Sequence, residues 1–219
     1  MNFEAARHHM IEQQLRPWCI TDPEVIEQLY ADRREDFVPE SWRALAFADV
    51  EIPLGHGATM LPPKLEGRIL QALAGMQIRR ALEVGTGSGH MAALLAQRAQ
   101  EVWTIEIEPA LAEQARANLA RAEIDNVHVE VGDGLAGLRD HAPYDAIVLS
   151  GGVREVPQAL IDQLADGGRL VAFVPLPGEE PLMTMRLMKK GAGEAMSSED
   201  LLETIVPGLR QPPAKKFVF

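Results

Sequence analysis

A single cysteine, Cys19, stands in a chain of 219 residues, so no internal disulfide can form and a disulfide-stapled scaffold is excluded. Long apolar runs are missing as well. No window approaches the roughly 20 apolar residues that a membrane-spanning helix needs, and no membrane association is expected. Basic residues are in deficit, with 21 Lys and Arg against 32 Asp and Glu and a formal charge of −11. Such a surface repels phosphate backbones unless a local basic patch overrides it, and the basic residues are scattered apart from pairs such as Lys189-Lys190 and Lys215-Lys216. The expectation is no nucleic-acid partner. The opening "MNFEAARHHMIEQQ" has acids and histidines where a signal peptide requires a continuous apolar stretch, which points to the cytoplasm. No HExxH or CxxC spacing occurs, so no metal site is expected. What is present, 47% hydrophobic and 24% charged residues, suits one soluble domain with a full core.

Three regimes follow one another along the chain. Residues 1–50 read as a helical elaboration: Phe3, Met10, Ile11 and Leu15 share a helical face, Arg16-Pro17 breaks it, and "TDPE" at 21–24 resembles a capping box with Pro23 in the first turn. Over 80–175, strands alternate with helices. "RALEV", "EVWTIEI", "VHVEV", "DAIVLS" and "RLVAFV" are short Val-, Ile- and Leu-rich runs of the kind buried on both faces of a parallel sheet. Leu111, Ala115 and Leu119 mark a helix behind Pro109; Leu160, Ile161 and Leu164 mark another behind Pro157, ended by Gly167-Gly168. Residues 176–219 predict two antiparallel strands joined through 191–198. The fold class is α/β, a doubly wound, mostly parallel sheet in a single domain.

The sharpest motif is "LEVGTGSGH", residues 82–90, where a strand ends and a helix begins. Glycines at 85, 87 and 89 allow a tight turn whose backbone can lie against a nucleotide-like ligand. A Walker loop is excluded because no Gly-Lys-Ser/Thr occurs, and the dinucleotide fingerprint fails because His90 stands where Gly or Ala is needed. A GxSxG nucleophile elbow fails around Ser88 and Ser150. The remaining GxGxG form resembles motif I of the S-adenosylmethionine-dependent methyltransferases. Glu106 ends the second strand, where a carboxylate can accept hydrogen bonds from both ribose hydroxyls. Asp133 in "VGDG" sits where this class places the acid that receives the adenine amine. A cofactor bearing a sulfonium and an ammonium is favoured by nearby anions.

The stretches "EDFVP", "IPLGHGATM", "LEVGTGSGH", "NVHVEVGDGLAG", "APYDAIVLSGGVREVP", "LADGGRLVAFV" and "VPGL" resemble, in order, the motifs of the protein-L-isoaspartate O-methyltransferase family. The resemblance implies methyl transfer from S-adenosyl-L-methionine to the α-carboxylate of isoaspartyl residues in proteins or peptides. It makes Glu83, Gly85, Thr86, Gly87, Ser88, Gly89, Glu106, Asp133 and Gly134 the cofactor-binding set and Thr59 the candidate substrate-loop residue. A carboxylate acceptor is already an anion, so no catalytic base is required; in-line placement suffices. Three positions depart from the family pattern. Leu61 falls where the family has serine, His90 where it usually has tyrosine, and "LSGG" replaces a Thr-Ala-Ala run. Leucine cannot donate a hydrogen bond, and a lost bond to a charged group costs about 1.5–3 kcal/mol. Leu61 therefore keeps two other readings in play: a different methyl acceptor, and a cofactor-binding module without transfer.

Overall fold

The computed structural model describes residues 2–210; the Lys215-Lys216 pair lies outside the described residues. The N-terminal stretch folds as α1 (Phe3–His9), a π-helical segment Met10–Leu15, a 3₁₀ turn Arg16–Trp18 and α2 (Pro23–Ala31). Met10, Ile11 and Leu15 are buried, and Phe3 packs partly buried on the same core, as their spacing predicts. The cap of α2 differs from the sequence expectation. Asp22, not Thr21, accepts hydrogen bonds from the Glu24 and Val25 N–H groups, both at 3.1 Å, with Pro23 at the first helical position. A carboxylate satisfies two orphan donors and complements the helix dipole, which a hydroxyl does less well. Gln71 Oε1 meanwhile accepts from the Thr21 and Asp22 N–H groups and fixes the entry to the helix.

The stretch that carries Thr59, the candidate substrate-loop residue, is a hairpin. β1 (Ile52–Gly55) and β2 (Ala58–Met60) pair as a two-stranded antiparallel hairpin whose tip residues, His56 and Gly57, have φ of 50° and 69°. Left-handed φ at both tip positions is the geometry that lets a short turn follow the strand twist. Pro62 and Pro63 then lead into α3 (Pro63–Ala72), with Pro63 at the position where a missing N–H costs nothing.

The central sheet holds β3 (Ile78–Val84), β4 (Ala99–Glu106), β5 (Val127–Val131), β6 (Tyr144–Gly152), β7 (Leu164–Pro175), β8 (Met183–Lys190) and β9 (Met196–Thr204), in the order β5-β4-β3-β6-β7-β8-β9. β3 to β7 are mutually parallel; β8 and β9 add antiparallel at the edge. Alternate residues of one strand enter opposite cores. Ala81, Ala146 and Val148 join one cluster, while Leu82, Ile147 and Leu149 join the other. Burial on both faces is why the inner strands read as apolar runs; β5, expected to be buried in the same way, is instead the edge strand, only partly buried and with Val131 exposed. α4 (His90–Ala96), α5 (Pro109–Arg121) and α6 (Gln158–Asp162) connect them. The last is shorter than expected. Leu164 belongs to β7, and Gly167-Gly168 do not cap the helix but lie in a register break of that strand, between the pairs Tyr144↔Leu164 and Ala146↔Arg169. With φ of 79°, Gly167 lets the strand absorb the extra residues as an irregularity. β9 likewise begins at Met196, so the connection from β8 is shorter than 191–198.

One buried polar cluster fastens the N-terminal elaboration to this sheet. Asp32 and Arg34 follow α2, Glu66 lies in α3, and His90 opens α4; all four are less than a tenth exposed. His90 Nε2 is 2.9 Å from Asp32 Oδ2 and its Nδ1 is 2.9 Å from Glu66 Oε1, while Arg34 Nη1 donates to Glu66 Oε2. The Phe37 ring meets the imidazole edge-on at 5.1 Å. With His90 protonated, two cations face two carboxylates and the buried charge sums to zero, the condition under which such a group can be removed from water. Burial alone would lower the His90 pKa, but Glu66 and Asp32 push it up to about 9. His90 in turn holds the Asp32 carboxyl low, against the upward push of its own burial.

The sign of the resulting pH dependence follows. A histidine whose pKa rises on folding contributes stability that is complete below its ordinary value of about 6.5 and is lost as pH climbs through the folded value. Denaturant titrations from pH 6 to 10 are therefore expected to show stability falling by on the order of 2–3 kcal/mol toward the alkaline end. In His90→Gln that fall should largely disappear; an unchanged slope in the variant would place the pH dependence elsewhere.

Candidate active site

At the carboxyl ends of β3, β4, β5 and β6 lies a cleft of about 730 Å³, counting the part open to solvent. It sits where strand order reverses about β3, the place at which open α/β sheets take ligands. The turn after β3 forms its floor. Gly85 has φ of 95°, and a Cβ there would come within 2.7 Å of Leu209 Cδ2; at Gly87, φ 53°, it would come within 3.1 Å of Leu54 Cδ1. Both positions favour glycine for conformation, and a side chain at either would also have to displace a leucine methyl. Gly89 does something else. It lines neither the cleft nor its inner recess but lets α4 approach α5, with a Cβ position 3.3 Å from Ala115 Cβ. Asn118 on α5 donates to Ser88 O at 2.9 Å and so holds the turn from behind.

Two acids face the cleft from adjacent strand ends. Glu106 accepts from the Gly87 N–H at 2.8 Å and the Glu108 N–H at 3.0 Å, one bond to each carboxylate oxygen. A carboxylate has about four acceptor positions, so each oxygen keeps one. Asp133 accepts from the Leu135 N–H through Oδ1 at 3.1 Å. Beside it, Gly134 leaves no room for a side chain: a Cβ would lie 2.5 Å from Val84 Cγ1.

A third acid is deeper. Glu83 is fully buried and lines a recess that opens beside the cleft, together with Thr59, Leu61, Glu66, Thr86, Ser88, His90 and Ser150. The hydroxyls of Ser150 and Thr104 lie 2.6 and 2.7 Å from its two oxygens, and Thr86 Oγ1 lies 2.6 Å from Thr104 Oγ1. Burial pushes the Glu83 carboxyl up to about 8; the two hydroxyl contacts oppose this and the nearby Glu106 and Glu66 charges reinforce it. Near neutral pH it is a protonated acid that the approach of a cation would ionise.

The hairpin β1–β2 forms the opposite wall, contributing Gly57, Ala58 and Thr59 to the cleft, with Leu61 just beyond. Thr59 Oγ1 donates to Glu51 at 3.2 Å. Leu61 is buried with its carbonyl accepting from Arg34 Nη2 at 2.7 Å. Residues 206–210 close the remaining side. The Gly152 N–H donates to Pro207 O at 2.8 Å, and the Leu209 N–H donates back to Gly152 O at 2.7 Å. Arg210 and His56 lie 3.6 and 4.0 Å from the two carboxylate oxygens of Glu108.

The cleft and recess together gather Thr59, Glu83, Gly85, Thr86, Gly87, Ser88, Glu106, Asp133 and Gly134, leaving out only Gly89 of the residues expected from the sequence. Sequence reasoning missed Leu54, Glu66, Arg34 and the role of 206–210. The "VPGL" stretch was visible as a motif, whereas the arginine and glutamate carried no local signal.

Comparison with known proteins identifies the family of the chain. The model of the protein-L-isoaspartate(D-aspartate) O-methyltransferase family matches residues 5–208. A protein-L-isoaspartate O-methyltransferase from Opitutus terrae is 38% identical over 94% of this chain and 88% of its own length. Among solved structures, a protein-L-isoaspartate O-methyltransferase superposes with a TM-score of 0.80 at 25% identity, covering 94% of this chain and 66% of that one. A Plasmodium falciparum structure described as a β-aspartate methyltransferase in complex with S-adenosyl-L-homocysteine has the same fold, with a TM-score of 0.79 at 20% identity over 96% and 99% of the two chains. The chain belongs to the protein-L-isoaspartate O-methyltransferase family.

Proposed function

We propose that this chain, a single methyltransferase domain, transfers a methyl group from S-adenosyl-L-methionine to the free carboxylate of isoaspartyl residues in proteins or peptides. The observation that carries the reading is an acid-lined cleft around a glycine turn. Arg210, the one basic side chain lining the cleft among the described residues, lies against Glu108, so the site is built for a cationic ligand and not for a phosphate. The residues fit the cofactor's parts. Each Glu106 oxygen keeps an acceptor position for a ribose hydroxyl, Asp133 Oδ2 can receive an adenine amine, and Glu83 stands where an ammonium would reach it from the recess. Family membership favours isoaspartyl protein over another acceptor or a module without transfer. The acidic surface and the cytoplasmic expectation are consistent with that substrate, and no helix among the described residues is long and apolar enough to cross a membrane.

When bound, the cofactor supplies an electrophilic methyl on sulfur, which an acceptor oxygen takes as the carbon–sulfur bond breaks. The chain's own part is placement. Glu106 and the glycine turn fix the cofactor end, while Thr59 on the hairpin faces the acceptor end; its hydroxyl, turned from Glu51 to a substrate carboxylate, would orient the attacking oxygen. The buried Leu61 and the hairpin exclude water from the line of attack. No side chain needs to take a proton, because the acceptor carboxylate is already an anion.

Incubation with an isoaspartyl peptide and its aspartyl twin should give base-labile methyl ester on the first alone; ester on neither, or equally on both, overturns the substrate assignment. Leu61→Ser, which returns a donor beside Thr59, is expected to lower the KM for the isoaspartyl peptide by up to about tenfold. Cofactor binding is tested by calorimetry. Because a cation ionises Glu83, binding at pH 7 should release a proton, seen as an enthalpy that varies with the buffer's ionisation heat, and Glu83→Gln should lose that dependence. Gly85→Val, driven into Leu209, should abolish binding.

A further inference from the structure

The hairpin that carries Thr59 has little to hold it. β1 and β2 pair only with each other, forming a sheet separate from the central one. Two short strands of this kind are marginal in isolation. Ile52 and Met60 anchor it by burial, yet Thr59 and the tip remain at the cleft surface. The position of Thr59 therefore depends on how the two ends of the surrounding excursion are fixed.

Both ends meet at one side chain. Arg34 donates through Nε to Ala46 O at 2.7 Å and through Nη2 to Leu61 O at 2.7 Å. These carbonyls bracket residues 47–60, so a single guanidinium closes the base of the whole segment. Its remaining Nη1 donates to Glu66, and Glu66 contacts His90, the residue directly after the last glycine of the cofactor turn. Arg34 is 1% exposed and lines neither cleft nor recess. It cannot touch a reacting atom. What it can do is use the fixed fork of its guanidinium to hold two carbonyls and one carboxylate at once, which a lysine's single ammonium cannot.

We propose that Arg34 is a positioning residue for methyl transfer: it clamps both ends of the segment that places Thr59 over the cleft and, through Glu66 and His90, ties that clamp to the cofactor turn. Its kinetic arm rests on the isoaspartyl reading. The clamp itself does not, because its effect on the hairpin can be measured without any acceptor.

The test is Arg34→Lys, which keeps the charge opposite Glu66 and loses the fork. Amide hydrogen exchange should quicken selectively in residues 52–60 while the amides of β3 and β4 keep their protection. With saturating isoaspartyl peptide, kcat should fall by about 10- to 100-fold, the scale of a misplaced reacting group. The cofactor dissociation constant should stay within about threefold, since uniform binding is untouched. If Arg34→Lys does not fold, Arg34→Met with Glu66→Gln replaces it, leaving Asp32 and His90 as a neutral pair; because Glu66 lines the recess, that variant is read by hydrogen exchange alone. Wild-type exchange in the hairpin, or protection lost evenly across hairpin and sheet, overturns the clamp. A wild-type kcat with a loosened hairpin overturns its role in the reaction. Should wild type methylate no isoaspartyl peptide, exchange alone still decides the clamp.

Discussion

Four charged side chains that would each be costly alone meet beneath the hairpin, and the rest of the site is arranged about them. Asp32, Arg34, Glu66 and His90 come from three separate stretches of chain, and only as a set do they balance. Removing one partner leaves an uncompensated charge in a place where water cannot reach it. That constraint explains why an N-terminal elaboration with no chemistry of its own is packed so firmly on the core. It also explains a protonated imidazole at the start of α4, since a neutral ring would leave the two carboxylates facing Arg34 alone.

The same reasoning connects the acids of the cleft with the absence of a base. Methyl transfer to a carboxylate moves no proton, so none of these acids has to serve as a base. Glu83, Glu106 and Asp133 occupy successive depths, from fully buried to the cleft rim, and their partners differ accordingly. Hydroxyls surround the innermost acid, backbone N–H groups hold the next, and a single backbone N–H holds the outermost. Burial pushes the innermost carboxyl up to about 8.

What could be read from the sequence was what short-range physics encodes. Strands buried on both faces announce themselves as apolar runs, and the glycine turn stands out because three positions with positive φ are needed in five residues. The α2 cap was misplaced by one residue because Thr21 and Asp22 both suit it and the choice depends on distant Gln71. Gly167-Gly168 resembled a helix end because glycine serves a strand irregularity equally well. The hairpin escaped notice, its strands being only four and three residues long. Arg34 and Glu66 are 32 positions apart, and nothing local marks them as partners.

The wall made by residues 206–209 carries one more consequence. Leu209 rests on Gly85, although more than half the chain separates them. During synthesis the glycine turn and its flanking acids emerge long before the segment that walls them in. A nascent chain thus displays a cofactor floor without its final side, and the cleft acquires its full shape only once Leu209 has emerged and docked against Gly152. A chain cut short before residue 206 would keep the strands of its sheet and lose one wall of its cleft.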